Sequence, residues 1–179
     1  MSGEIKNARI DELIGEIGTG VVEQELIRAL RERGKTVSCA ESCTGGLIAK
    51  RLTDISGASE VFFGGAVTYV NEAKKSLLGV KAETLEKHTA VSEQTAAEMA
   101  RGIRLSLGTD IGMSTTGYAG PTGGSDDMPV GTVFVGLSFA GGELVTRLSL
   151  SEYGSRSKIR EAAASRAMQL ALELVRGTN

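Results

Sequence analysis

Apolar positions fall at Ile10, Leu13, Ile14 and Ile17, the spacing of one helix face, before Gly18-Thr19-Gly20 interrupts the pattern. A second such face runs through Val21, Leu26, Ile27 and Leu30 and stops at Gly34, a residue suited to the left-handed position after a helix. Thr36-Val37-Ser38-Cys39-Ala40 is short and rich in β-formers, which predicts a strand. The polar turn Glu41-Ser42-Cys43-Thr44-Gly45-Gly46 follows, and Leu47 to Leu52 starts a helix. A strand, a glycine turn and a helix in that order can aim backbone N–H groups at an anion. The chain breaks again at Ser56-Gly57-Ala58-Ser59, and a further strand is expected over Ala66 to Val70. A short helix from Asn71 through Leu78 comes next, with Asn71 as its N-cap.

Ser92-x-x-Thr95 opens a longer helix through Ala97, Met99, Ile103 and Leu107, ended by Gly108. Ile111 to Thr115 reads as a strand, and Val130–Leu137 with Glu143–Leu150 as an antiparallel hairpin across Gly141-Gly142. Helical spacing returns from Ser157 to Val175. The sum is an α/β fold, a mixed β-sheet flanked by helices on its faces. No internal repeat or domain boundary is evident, so residues 1–179 are expected to form a single domain.

The run Thr115-Thr116-Gly117-Tyr118-Ala119-Gly120-Pro121-Thr122-Gly123-Gly124 does not fit the hairpin pattern. It is too long and glycine-rich for a tight connection. Hydroxyls and close backbone approach suit a ligand loop at the carboxyl edge of an α/β sheet, and equally a surface crossover.

Composition narrows the function classes. Lys and Arg number 20 against 22 Asp and Glu, a net charge of -2, which lacks the basic footprint of a nucleic-acid binder. Aromatics are 4% and Trp is absent, which disfavours base-stacking platforms. No apolar run approaches the ~18 residues of a membrane span, and Met1-Ser2-Gly3-Glu4-Ile5-Lys6 lacks a secretory core. The expectation is a cytoplasmic protein that binds neither nucleic acid nor membrane. Cys39 and Cys43 are four apart, the spacing of neither a redox pair nor a usual zinc module. The single histidine, His88, lies in the polar stretch Glu86-Lys87-His88-Thr89 and reads as a solvated loop residue.

With no metal cluster and one exposed imidazole, an enzyme built on this chain needs another base. A desolvated lysine beside a serine is one solution, because a lowered pKa leaves the amine free to take the hydroxyl proton. Ser42 in the first glycine turn, Ser59 after Gly57-Ala58, and Lys74 early in its helix are the candidates. Each also has a plain structural reading: a helix cap, a turn residue and a solvated face residue. Arg156, in Gly154-Ser155-Arg156-Ser157-Lys158 before the last helix, could hold a carboxylate or phosphate, or simply lie on the surface. The Ser42–Gly46 turn lacks the lysine of a phosphate-binding loop, which argues against nucleoside triphosphate hydrolysis.

Five segments occur in order: Ala40-Glu41-Ser42-Cys43-Thr44-Gly45-Gly46, Thr68-Tyr69-Val70-Asn71-Glu72-Ala73-Lys74, Ala90-Val91-Ser92-Glu93, Thr116-Gly117-Tyr118-Ala119-Gly120-Pro121 and Pro129-Val130-Gly131-Thr132-Val133. Together they resemble the CinA C-terminal domain family, the nicotinamide-nucleotide amidases also called PncC, over roughly residues 20 to 176. Larger relatives carry an additional N-terminal domain, for which 179 residues leave no room, so the expectation is the stand-alone form.

The resemblance implies hydrolysis of the carboxamide of nicotinamide mononucleotide to nicotinic acid mononucleotide and ammonia by a Ser–Lys pair. Matching motifs puts the nucleophile on Ser59 and the base on Lys74, with Ser42 the rival nucleophile. Thr116 and Arg156 match active-site positions, and Tyr69 a pocket tyrosine. The phosphate site is expected at Ser42, Cys43, Thr44, Gly45 and Gly46 or at Arg156, with Gly117 and Gly120 in the ligand loop. The resemblance calls for no cofactor, metal or organic, and favours a homodimer. It leaves two other readings: a non-catalytic competence-associated interaction module, and an amidase for another small amide. Met128 stands where relatives often carry a lysine.

Overall fold

The computed structural model describes residues 21–177; the helical pattern at Ile10–Ile17 lies outside them. Helix α1 (Val21–Glu32) leads into strand β1 (Val37–Glu41), helix α2 (Leu47–Thr53), a 3-10 turn (Ala58–Glu60) and strand β2 (Phe62–Val67). Helices α3 (Asn71–Leu78), α4 (Ala82–His88) and α5 (Glu93–Leu107) follow, then strands β3 (Ile111–Gly117), β4 (Thr132–Phe139) and β5 (Gly142–Ser149). A second 3-10 turn (Ser151–Tyr153) precedes the closing helix α6 (Arg156–Gly177).

The five strands form one mixed sheet in the order β2-β1-β3-β4-β5, with β2, β1 and β3 parallel and β4 and β5 antiparallel additions. This is the α/β architecture expected from the alternating patterns.

Side-chain alternation along β1 assigns each residue to a layer. Val37 and Cys39 join the larger core, built with Leu26, Ile27 and Leu30 of α1, Ile48 and Leu52 of α2 and the apolar face of α6. Ala40 points the other way, into a smaller core with Leu78, Met99 and Ile103. Helices α1, α2 and α6 therefore cover one face, and α3 and α5 the other. Two glycines let α5 lie close on the sheet. A Cβ at Gly112 of β3 would stand 2.2 Å from the Ala100 carbonyl, and one at Gly136 of β4 2.5 Å from that of Ala96.

Three sequence expectations shift. The second strand covers Phe62–Val67 rather than 66–70, and Thr68 to Val70 lie beyond its end. Its glycines at 64 and 65 hide the strand in the sequence, and a bulge breaks its register opposite Val37 and Ser38. Asn71 is the first residue of α3, whose N-cap is Val70 with no side-chain cap. Glu86–His88 close the short helix α4 instead of forming a loop, although His88 is exposed as expected. Ser92 does cap α5, accepting from the Thr95 N–H at 3.2 Å.

Candidate active site

The carboxyl ends of the three parallel strands lie side by side, and the crossovers leaving β1 and β2 run over opposite faces of the sheet. Such a switch in direction opens a crevice outside the strand ends. A cavity of about 190 Å³ occupies it, lined by residues following β1 (Ser42, Cys43), following β2 (Tyr69, Lys74), ending β3 (Thr116, Gly117) and following it (Tyr118, Ala119), and by Ala90, Val91 and Arg156.

Alternation along β1 carries past its last residue and decides the chemistry. Glu41 continues the Val37–Cys39 side and faces α2, whereas Ser42 continues the Ala40 side and faces α3. Helix α3 turns Lys74 and Leu78, one turn apart, inward. Lys74 is 1% exposed, and its Nζ lies 3.0 Å from Ser42 Oγ and 2.8 Å from the Thr68 carbonyl oxygen. Burial lowers the Lys74 pKa below its ordinary value, because desolvation penalises the ammonium. The Thr68 carbonyl accepts one amine hydrogen. A neutral Lys74 can then turn its lone pair to the Ser42 hydroxyl.

The turn after β1 is tied down on all sides. The Ser42 N–H donates to the Thr115 carbonyl at 2.9 Å, and the hydroxyls of Thr44 and Thr115 meet at 2.7 Å. The Glu41 carboxyl accepts the N–H groups of Gly46 and Ile48 on Oε2 and that of Ala49 on Oε1, at 2.9–3.1 Å. It caps α2 from its own strand. The expected anion site at this helix N-terminus is therefore corrected, since the chain's own carboxyl group fills it.

Arg156 opens α6 and spans the mouth of the cavity. Its Nη1 donates to the Gly120 carbonyl at 2.6 Å and its Nη2 to the Tyr69 hydroxyl at 3.0 Å. Both Arg156 and Tyr69 are exposed, so the guanidinium keeps N–H groups available to an incoming ligand. Thr116 is buried, and its hydroxyl donates to the Ala90 carbonyl at 2.6 Å, fastening one cavity wall to β3. Burial pushes the Cys43 thiol up to about 12, so the sulfur stays protonated beside the serine.

The structure thus brings Ser42, Cys43, Tyr69, Lys74, Thr116, Gly117 and Arg156 to one cavity. It does not bring Ser59, and that assignment is corrected. Ser59 is exposed on the 3-10 turn before β2, while the side-chain hydroxyl next to Lys74 is that of Ser42. Thr44, Gly45 and Gly46 shape the turn without lining the cavity, and Gly120 contributes its carbonyl to Arg156. Met128 packs in a separate groove with Phe134 and Arg147. Glu41 was assigned no role from the sequence, although period-two alternation ending at a helix start carries the signal. Arg160 was missed as well, although it stands one helical turn beyond Arg156.

The CinA C-terminal domain model matches residues 20–175. A CinA-like protein of Kosmotoga olearia is 49% identical over 168 residues, covering 94% of this chain and 39% of that protein. The chain thus spans about two fifths of the length of the curated relatives it matches. Among solved structures, the competence/damage inducible protein CihA of Agrobacterium tumefaciens is 39% identical with a TM-score of 0.84, covering 87% of this chain and 94% of that one. A CinA superfamily protein of Escherichia coli is 30% identical with a TM-score of 0.87, covering 97% and 99%. Sequence and fold agree over nearly all the described residues, and the chain belongs to the CinA C-terminal domain family.

Proposed function

We propose that the chain is an amidohydrolase that converts nicotinamide mononucleotide and water to nicotinic acid mononucleotide and ammonia, with Ser42 as nucleophile and Lys74 as base. One observation carries the reading. A buried lysine whose pKa is lowered stands at hydrogen-bond distance from a serine hydroxyl at a cavity wall. A lysine kept only for structure gains little from such burial, whereas a base needs it.

Ser42 Oγ attacks the carboxamide carbon as neutral Lys74 takes the hydroxyl proton. The tetrahedral intermediate collapses, the C–N bond breaks, and Lys74 returns the proton to the departing nitrogen, which leaves as ammonia. Water, deprotonated by the same amine, attacks the resulting ester and releases the carboxylate and Ser42. The developing oxyanion needs N–H donors, which the turn following Ser42 supplies. The cavity takes a ring bearing a carboxamide rather than a whole nucleotide. The ribose and phosphate lie toward Arg156 and Tyr69 at its mouth.

The test is ammonia release over a panel of nicotinamide mononucleotide, its riboside, free nicotinamide and unrelated small amides. Turnover highest on the mononucleotide supports the proposal. Preference for another amide would change the substrate. No release from any amide would favour a non-catalytic interaction module.

A further inference from the structure

We propose that Arg160 is a positioning residue for the turn that carries Ser42; this rests on the Ser42–Lys74 reading above. Arg160 belongs to α6, one turn after Arg156, and reaches across to the β1–α2 connection. Its Nε donates to the Cys43 carbonyl at 3.2 Å and its Nη2 to the Thr44 carbonyl at 2.8 Å. One guanidinium thus holds two successive peptide carbonyls, a fork that a single ammonium cannot reproduce.

A trans peptide is planar, so its C=O and N–H point in opposite directions. Fixing the carbonyls of Cys43 and Thr44 therefore also fixes the N–H groups of Thr44 and Gly45. Among the described residues, neither of these N–H groups donates to a backbone carbonyl, in contrast to Ser42 and Leu47 on either side. The Thr44 carbonyl also accepts from the Leu47 N–H at 3.3 Å, so without Arg160 it is the Cys43–Thr44 plane, beside the cavity-lining Cys43, that could rotate and present its carbonyl to the developing oxyanion, where a donor is required. The space around the arginine fits this use. A Cβ at Gly45 would come within 3.0 Å of Arg160 Nη2, and Gly45 has a φ of +61°, so glycine both permits the turn and leaves room for the guanidinium. Arg160 does not line the cavity, so it acts through the turn and not on the ligand.

The test uses the full chain with Arg160→Met and Arg160→Lys. Three quantities are read: kcat and KM on nicotinamide mononucleotide, the rate at which a fluorophosphonate labels Ser42, and the thermal midpoint. Arg160→Met should lower kcat about 10- to 100-fold, the scale of a small misplacement of reacting groups. KM should stay within about threefold, and labelling, which passes through a comparable charged centre, should slow in parallel. Arg160→Lys can hold one carbonyl at a time and should recover part of both rates. It also keeps the charge and stem, so it decides the matter if Arg160→Met does not fold. Rates within about twofold of wild type in the lysine variant and in any folded methionine variant would overturn the proposal, as would a raised KM with unchanged kcat. If the wild type hydrolyses no amide, the functional reading falls but labelling still decides the role of Arg160: slowed labelling supports it and equal labelling overturns it. A wild type unlabelled at Ser42 would overturn both.

Discussion

Lys74 Nζ lies 3.0 Å from Ser42 Oγ, although 32 positions and a whole strand separate the two in the chain. The contact follows from β1 ending with Glu41 toward one face and Ser42 toward the other, while α3 turns the same side that buries Leu78 inward. Neither residue could be moved one position along its element without parting the pair.

Lys74→Arg should be nearly as damaging to turnover as Lys74→Ala. Arginine keeps the charge but does not lose its proton in proteins, so it cannot accept one from Ser42. Steady-state ammonia release checks this; an active arginine variant would limit Lys74 to an electrostatic role.

The pH dependence has a definite sign. The neutral amine is the base, so kcat/KM should rise with pH through the lowered pKa of Lys74, and the limb should vanish in Lys74→Met. Stability follows the same group. Between the lowered folded pKa and the ordinary value of 10.5, the unfolded chain binds a proton that the folded chain resists. Stability from this group therefore increases as pH rises across that window. Relative to Lys74→Met, the wild type should gain thermal midpoint from pH 7 toward pH 10, and a difference flat with pH would contradict the assignment.

Glu41→Ala should destabilise the fold by about 3 kcal/mol, because three amides at the start of α2 lose their acceptor. Glu41→Gln keeps one acceptor oxygen and should cost less. Denaturant titration measures both. Equal effects, each under about 1 kcal/mol, would mean that water replaces the cap without loss.

Much of this arrangement is legible in the sequence. The strand–turn–helix at 37–53, the capped helix from Ser92 and the β4–β5 hairpin all follow from alternation, helical spacing and glycine placement. The pairing of Lys74 with Ser42 rather than Ser59 depends on where β1 stops and which face each residue takes. That required the strand to end at Glu41, one residue later than the β-rich run suggested. The second strand was displaced because Thr68-Tyr69-Val70 has higher β propensity than Phe62-Phe63-Gly64-Gly65, yet tertiary pairing with β1 selects the glycine-bearing segment. Helix α4 is not legible in the sequence, where only the polar stretch Glu86–Thr89 stands out, because seven residues rich in charge carry too few apolar positions to show a period. Arg160 lies far from the loop it grips, and no local pattern marks a contact to a carbonyl 116 residues away.

Arg156→Ala should weaken the preference for a phosphorylated substrate. If the guanidinium at the cavity mouth holds the phosphate, the wild type should favour the mononucleotide over its riboside by about ten- to a hundredfold, and the variant should lose most of that preference. An unchanged preference with kcat lowered on both substrates would place Arg156 at the carboxamide instead.

The most direct test of the account is ammonia release from nicotinamide mononucleotide by Ser42→Ala and Ser59→Ala beside the wild type. Ser42 stands against the buried amine and Ser59 lies exposed on a turn. Ser42→Ala should therefore lose turnover while still binding the nucleotide, and Ser59→Ala should retain near-normal kcat. An active Ser42→Ala enzyme, or an inactive but folded Ser59→Ala one, would contradict the account.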